Sequence, residues 1–196
     1  SLAVDIERMQ RINRTLSAIP PEVRDNSEIP LRPIRTLIIS PSERIERIAA
    51  RCKEIGWHLD FLLPGWLTAE LIPTMKKLPV PFSMAHMGMN LAKDGVNTPG
   101  FQALLDLVNY GDRLAYVKLT GIYRMSKVPN FTDSDALAQA LLKAAPDRLI
   151  WGSDYPHLSF GENSSVELFN LLARWTDDEK VRKMILTDNP ERLFGF

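Results

Sequence analysis

Arg148-Leu149-Ile150-Trp151-Gly152-Ser153-Asp154-Tyr155-Pro156-His157 is the segment around which the rest of the chain can be ordered. The apolar run over residues 149–151 predicts a short buried strand. Gly152 and Ser153 let the backbone turn, so Asp154 falls just past the strand end. Pro156 stops the strand, and His157 follows on the loop. In a parallel α/β barrel the reactive groups gather at the carboxyl ends of the strands, where this carboxylate and imidazole fall. The same pattern also fits a turn-forming aspartate beside a surface histidine.

Upstream of this segment a strand–helix unit recurs. Residues 34–39 carry β-branched side chains and read as a strand. Ser40, Pro41, Ser42 and Glu43 then form a capping box with proline at the first helical position. Ile45, Ile48, Ala49, Cys52 and Ile55 give that helix its buried stripe, and Gly56 ends it. Strands are expected at 57–63, 80–85 and 115–119, and helices at 67–77, 99–110 and 133–145. Long loops are expected at 89–98 and 122–131. After the strand at 149–151, Ser164 and Glu167 open a helix to Trp175, residues 177–186 form another, and 189–193 add a turn.

Strict alternation implies a parallel sheet. A closed (β/α)8 barrel takes about 250 residues, so about five units predict an α/β fold that is an open sheet or a partial (β/α)8 TIM barrel. At the other end of the chain, Leu2, Ile6, Met9, Ile12 and Leu16 recur at helical spacing before Pro20 and Pro21. The expected division is an N-terminal helix and linker over 1–32 and a β/α segment over 33–196.

Composition narrows the function classes. The 196 residues suffice for one domain with a real core, and the 45% apolar and 24% charged fractions are those of a globular protein. Lys plus Arg equals Asp plus Glu at 24 each, which argues against a nucleic-acid binder. Cys52 is the single cysteine, so no internal disulfide forms and zinc-finger spacing is absent. Charges at Asp5, Glu7, Arg8, Arg11 and Arg14 do not suit a secretory signal peptide, and no apolar run approaches the roughly 20 residues of a membrane span. A soluble, cytoplasmic protein is the expectation. The first residue is Ser1 rather than Met, which predicts processing, trimming or excision from a longer chain.

Several polar residues stand at or near strand ends. His86 follows its strand directly, and Met87-Gly88 then opens a long loop of the kind that carries function on this scaffold. His58 is second in its strand and reads equally as a structural histidine. Lys118 lies inside an apolar strand, so it pairs with a carboxylate, lines a wet pocket or is partly exposed. Arg124 and Arg35 are placed to meet an anionic substrate or to be solvated. The chemistry these types support is hydrolysis: an aspartate can take a proton from water, an imidazole can hydrogen-bond a carbonyl oxygen, and guanidinium forks can hold a carboxylate. No G-x-S-x-G, Walker or G-x-G-x-x-G motif is present.

The stretch from Leu149 to His157 closely resembles the last barrel strand of the amidohydrolase-related (amidohydrolase 2) family, which includes the 2-pyrone-4,6-dicarboxylate lactonases. Residues 55–60 resemble its fifth strand, 79–88 its sixth, 117–124 its seventh and 188–195 its closing signature, while 34–39 resemble its fourth. The resemblance covers roughly residues 33–196. It implies a metal-dependent-hydrolase type of barrel, with His86 as the strand-six histidine and Asp154 as the acid/base that activates water. Arg124 and His157 match substrate-contacting positions of the lactonase branch, and His58 and Arg35 are further substrate-binding candidates. Some lactonase-like members are expected to work without metal. Other branches hold zinc at paired histidines of strand one together with the strand-six histidine and strand-eight aspartate.

This chain lacks the family's opening His-x-His strand, and its first three strands are expected to be missing. No cofactor is therefore expected, and zinc only if such a strand is supplied. The leading expectation is a lactonase-like hydrolase that opens a small carboxylated lactone, or a related C–O or C–N bond, with Asp-activated water. The alternative is an inactive or partner-completed barrel remnant that binds or scaffolds, and a third is an unrelated open sheet binding a small anion. Whether the chain acts as an enzyme alone stays open. Expected partners are a small anionic substrate, no nucleic acid and no membrane, with an oligomer or further segment covering the open barrel edge.

Overall fold

Five short apolar segments, each followed by a chain reversal through helix, dictate a parallel sheet, because parallel neighbours need a crossover connection. In the computed structural model, which describes residues 35–36, 42–157 and 164–195, the five strands lie side by side in sequence order. They are β1 (Arg35–Thr36), β2 (Leu59–Phe61), β3 (Phe82–Met84), β4 (Ala115–Leu119) and β5 (Leu149–Trp151), all parallel. Register runs across the sheet: Asp60 opposes Ser83, Ser83 opposes Tyr116, and Lys118 opposes Ile150. The crossover helices are α1 (Ser42–Glu54), α2 (Gly65–Met75), α3 (Pro99–Val108), the short α4 (Ile122–Met125) and α5 (Asp135–Ala144). These are consecutive units of a (β/α)8 barrel, so the partial-barrel class is the observed one. Residues 33–196 form one compact unit. The helix and linker expected over residues 1–32 lie outside the described residues, as do Ser40 and Pro41.

Strand periodicity of two divides the side chains between two faces. Leu59, Phe61, Phe82, Met84, Val117 and Leu149 enter the main core with Ile45 and Ala49 of α1, Phe101 and Leu104 of α3 and Leu137 of α5. The alternate positions Asp60, Ser83, Tyr116, Lys118 and Ile150 form the other face. There Tyr116 and Ile150 pack against Leu193 and Phe194.

The chain ends in α6 (Ser165–Trp175), α7 (Glu179–Lys183), a wide π turn over Met184–Asp188, and α8 (Asn189–Phe194). Ser164 caps α6 by accepting the Glu167 N–H at 3.3 Å. Asn189 is fully buried and donates its side-chain amide to the carbonyls of Pro146 (2.9 Å) and Leu149 (2.7 Å). That pair of bonds ties the terminal helix to the entry of β5, at the opposite end of the strands from Asp154.

Three expectations change. The connection at 122–131 is not simply a loop: it begins with α4, because Gly121 takes a left-handed φ of 57° and starts a helical turn. The last helix does not end at residue 186. It widens and continues, since Pro190 has no N–H for an ordinary α-helical bond and the π turn precedes it. The strands at 57–63 and 80–85 shorten to three residues each, their remaining apolar residues serving the turns.

Candidate active site

Each strand hands its next residues to the mouth of the partial barrel. β3 delivers His86, β4 delivers Thr120, Gly121, Tyr123 and Arg124, and β5 delivers Asp154 and His157. The backbone bends sharply at these points. His86, Met87, Gly88 and Met89 all have φ between 48° and 67°, a left-handed turn straight out of β3. Asp154 (φ 59°) and His157 (φ 58°) are left-handed as well. Such conformations are costly for residues with a Cβ and tend to concentrate at working sites. Asn90 holds the first turn by donating its amide to the carbonyls of Met87 (3.0 Å) and Gly88 (3.3 Å).

Asp154 is the centre. Its Oδ2 accepts a hydrogen bond from Arg124 Nε at 2.9 Å and another from the Tyr123 hydroxyl. Its Oδ1 faces His86 Nε2 at 3.9 Å. Burial works to raise the Asp154 carboxyl, but the Tyr123 hydrogen bond, His86 and Arg124 outweigh it and hold the group below its ordinary 3.8. His86 adds to this only when protonated, so Tyr123 and Arg124 carry the effect at neutral pH. Tyr123 is pushed up to about 12, by burial and then by its bond to the carboxylate, and stays a donor.

His86 is buried, and that burial drives its imidazole down to about 4; Asp154 opposes the shift, while Arg124 and Lys118 add to it. The ring is therefore neutral at pH 7, and the 3.9 Å contact to Asp154 is not an ion pair there. On its other side, Nδ1 lies 2.7 Å from Thr120 Oγ1. Gly121 leaves room for the ring: a Cβ at that position would stand 2.4 Å from His86 Nδ1. His157 is buried, and its Nε2 donates to the Ser153 carbonyl at 2.9 Å. Its ring meets Tyr123 edge-on at 5.4 Å between centroids. His86, Arg124, Asp154 and His157 thus come together, with Tyr123 between the last three.

The structure does not bring His58 into this group. Leu59 is in register with Phe82, so His58 stands level with Pro81, five residues before His86. At about 3.3 Å per residue that is roughly 16 Å along the sheet. His58 packs edge-on against Phe194 at 5.2 Å, and burial lowers its pKa. His58 therefore stands apart from that group, at the entry end of its strand. Arg35 is in β1, and its side chain lies outside the description. Lys118 pairs with a carboxylate: its Nζ is 2.6 Å from Asp60 Oδ2, and Ser83 Oγ donates to Asp60 Oδ1 at 2.8 Å. Tyr123 and Thr120 were not singled out from sequence. Thr120 carried a signal, as a polar residue directly after the strand expected at 115–119; Tyr123 carried none.

A family model described as amidohydrolase matches residues 28–196. The chain belongs to the amidohydrolase family. Among its amidohydrolase relatives, the 4-sulfomuconolactone hydrolase of Hydrogenophaga intermedia is 34% identical over 155 residues, 76% of this chain and 50% of that protein. A Pseudomonas putida crystal structure, provisionally described as a 2-pyrone-4,6-dicarboxylic acid hydrolase, matches with a TM-score of 0.72 at 26% identity, covering 84% of this chain and 63% of that one. A Burkholderia multivorans amidohydrolase with bound zinc matches at a TM-score of 0.72 and 19% identity, over 89% of this chain and 68% of that one, a likeness of fold. The chain spans about half the length of the curated relatives it matches.

Zinc sites take three or four N, S or O ligands. Among the described residues no group of three or more His, Cys, Asp or Glu side chains is placed to hold a metal ion. His86 and Asp154 offer two, and the Arg124 guanidinium is bonded to the same carboxylate. The described residues do not by themselves fit zinc.

Proposed function

We propose that this chain carries the catalytic carboxylate half of a lactonase-like amidohydrolase, which hydrolyses a small carboxylated or sulfonated lactone or a related C–O or C–N bond. The observation that carries the reading is the environment of Asp154. Two donors occupy Oδ2, so Oδ1 is the oxygen turned toward the mouth and His86. A water between Oδ1 and the substrate gives its proton to Asp154 while its oxygen attacks the lactone carbonyl carbon. Asp154 is a weak base in the resting state, but the water becomes acidic as the new C–O bond forms. The ester C–O bond then breaks, and the departing oxygen takes the proton back, so one water is added overall. The neutral imidazole of His86 hydrogen-bonds the carbonyl oxygen as charge builds on it. Arg124 is the cation placed to meet the anionic group of the substrate, and His157, its Nε2–H already given to the Ser153 carbonyl, lines the mouth beside it.

The names of the relatives, a sulfomuconolactone hydrolase and a pyrone-dicarboxylic acid hydrolase, support an anionic lactone. No helix of the described residues is long and apolar enough to cross a membrane, and 24 basic residues balanced by 24 acidic ones give no electrostatic support to a nucleic-acid partner. A second reading, a barrel segment completed by further chain or by a second copy, is favoured by the span of about half of each relative and by the two-ligand site.

The test is hydrolysis of 4-sulfomuconolactone and 2-pyrone-4,6-dicarboxylate by the purified chain. Asp154→Asn should cut kcat by at least about 100-fold; an unchanged rate removes Asp154 from the chemistry. Inactivity that is relieved by adding the first three β/α units of a relative selects the second reading. Inactivity in both mixtures rejects the hydrolase.

A further inference from the structure

Two groups of residue 86 converge on one oxygen. The His86 backbone N–H donates to Thr120 Oγ1 at 3.3 Å, and His86 Nδ1 lies 2.7 Å from the same atom. Thr120 is 7% exposed, and among the described residues its hydroxyl makes no other hydrogen bond. A hydroxyl has one proton and two lone pairs. With one lone pair taken by the backbone N–H, only two arrangements are open. Either the hydroxyl proton goes to Nδ1, or Nδ1–H donates to the second lone pair and the hydroxyl proton is left without an acceptor. The second arrangement buries an unsatisfied donor. It also turns the Nε2 lone pair toward the Asp154 carboxylate, 3.9 Å away, where like partial charges meet.

We infer that Thr120 is a positioning residue that fixes His86 as the Nε2–H tautomer, with Nδ1 accepting the threonine hydroxyl. Gly121 makes the contact feasible, since a Cβ there would collide with Nδ1 at 2.4 Å. The doubly protonated ring meets the same objection, since its Nδ1–H would again leave the hydroxyl proton without an acceptor. The imidazole therefore presents an N–H, not a lone pair, to the space beside Asp154. In the hydrolase reading this divides the work: His86 can only donate, and Asp154 is left as the proton acceptor. That consequence rests on the hydrolase reading, whereas the tautomer does not.

The test is long-range proton–nitrogen NMR of the full chain with nitrogen-15 in its histidine rings, at neutral pH. Three histidines make assignment direct, with His86→Gln identifying the signals that vanish. His157, whose Nε2 donates to a carbonyl, provides an internal example of the expected pattern. The expected result is a single His86 tautomer protonated on Nε2, with Nδ1 at the position of a hydrogen-bonded acceptor. Thr120→Val should move Nδ1 to the position of a nitrogen without a hydrogen bond, and Thr120→Ser should retain the original spectrum. A proton on Nδ1 in the wild-type chain overturns the inference, and so does a valine variant whose His86 signals are unchanged. If the valine variant does not fold, the wild-type and serine spectra still decide. No turnover is needed, so a failed lactone assay and a failed tautomer assignment are separate results.

Discussion

His86 ties the chemistry of the site to the stability of the fold. Its folded-state pKa of about 4 lies below the ordinary 6.5, so the unfolded chain takes up a proton first as the pH falls. The contribution of the neutral ring is complete above pH 6.5 and is lost between about 6.5 and 4. For a side chain this buried, the loss amounts to roughly 3 kcal/mol at most. Urea unfolding at pH 7 and pH 4.5 should show a drop that His86→Gln largely abolishes. Asp154 has the opposite form of linkage: its depressed pKa stabilises above 3.8 and is lost only below it, outside that window. His86, Arg124 and Asp154 were legible in the sequence because each follows a strand and has a glycine (Gly88, Gly121 or Gly152) within three residues. Tyr123 was not, since a tyrosine at the start of an apparent loop looks no different from any exposed aromatic. The partner of Lys118 was equally hidden. Asp60 lies 58 residues away, and only the register of β2, β3 and β4 brings the two together.

Among the elements, the strands and crossover helices were legible from periodicity and capping, and their ends were not. Residues 57–63 read as one strand, yet only Leu59–Phe61 pairs with β3, because pairing length depends on the neighbour and not on the segment itself. Helix α4 is set by the left-handed φ of Gly121, which no pattern of hydrophobicity records. The terminal helix shows the same dependence on distant backbone. Asn189 reads as an ordinary cap before proline, but its amide is spent on two carbonyls more than 39 residues earlier. Asn189→Ala removes both bonds and strands buried acceptors. It should cost about 2 kcal/mol, measured by urea unfolding, while the His86 ring signals at the far end of the strands stay where they are.

The whole molecule places opposed tasks on opposed surfaces of one sheet. One face is an apolar core under the helices, and the other carries a charged pair, Asp60 with Lys118, whose side chains are only 10% and 18% exposed. Removing one member leaves the other buried and uncompensated. Lys118→Met should therefore destabilise by about 3 kcal/mol, and Asp60→Asn added to it should recover much of the loss. A double-mutant cycle in urea reads the coupling. The order of the strands has a consequence of its own. Each strand pairs with the one made just before it, so no segment has to wait for a partner still inside the ribosome. The sheet can grow one unit at a time during synthesis, and helix α8, which emerges after β5, latches onto the entry of that strand once it is in place.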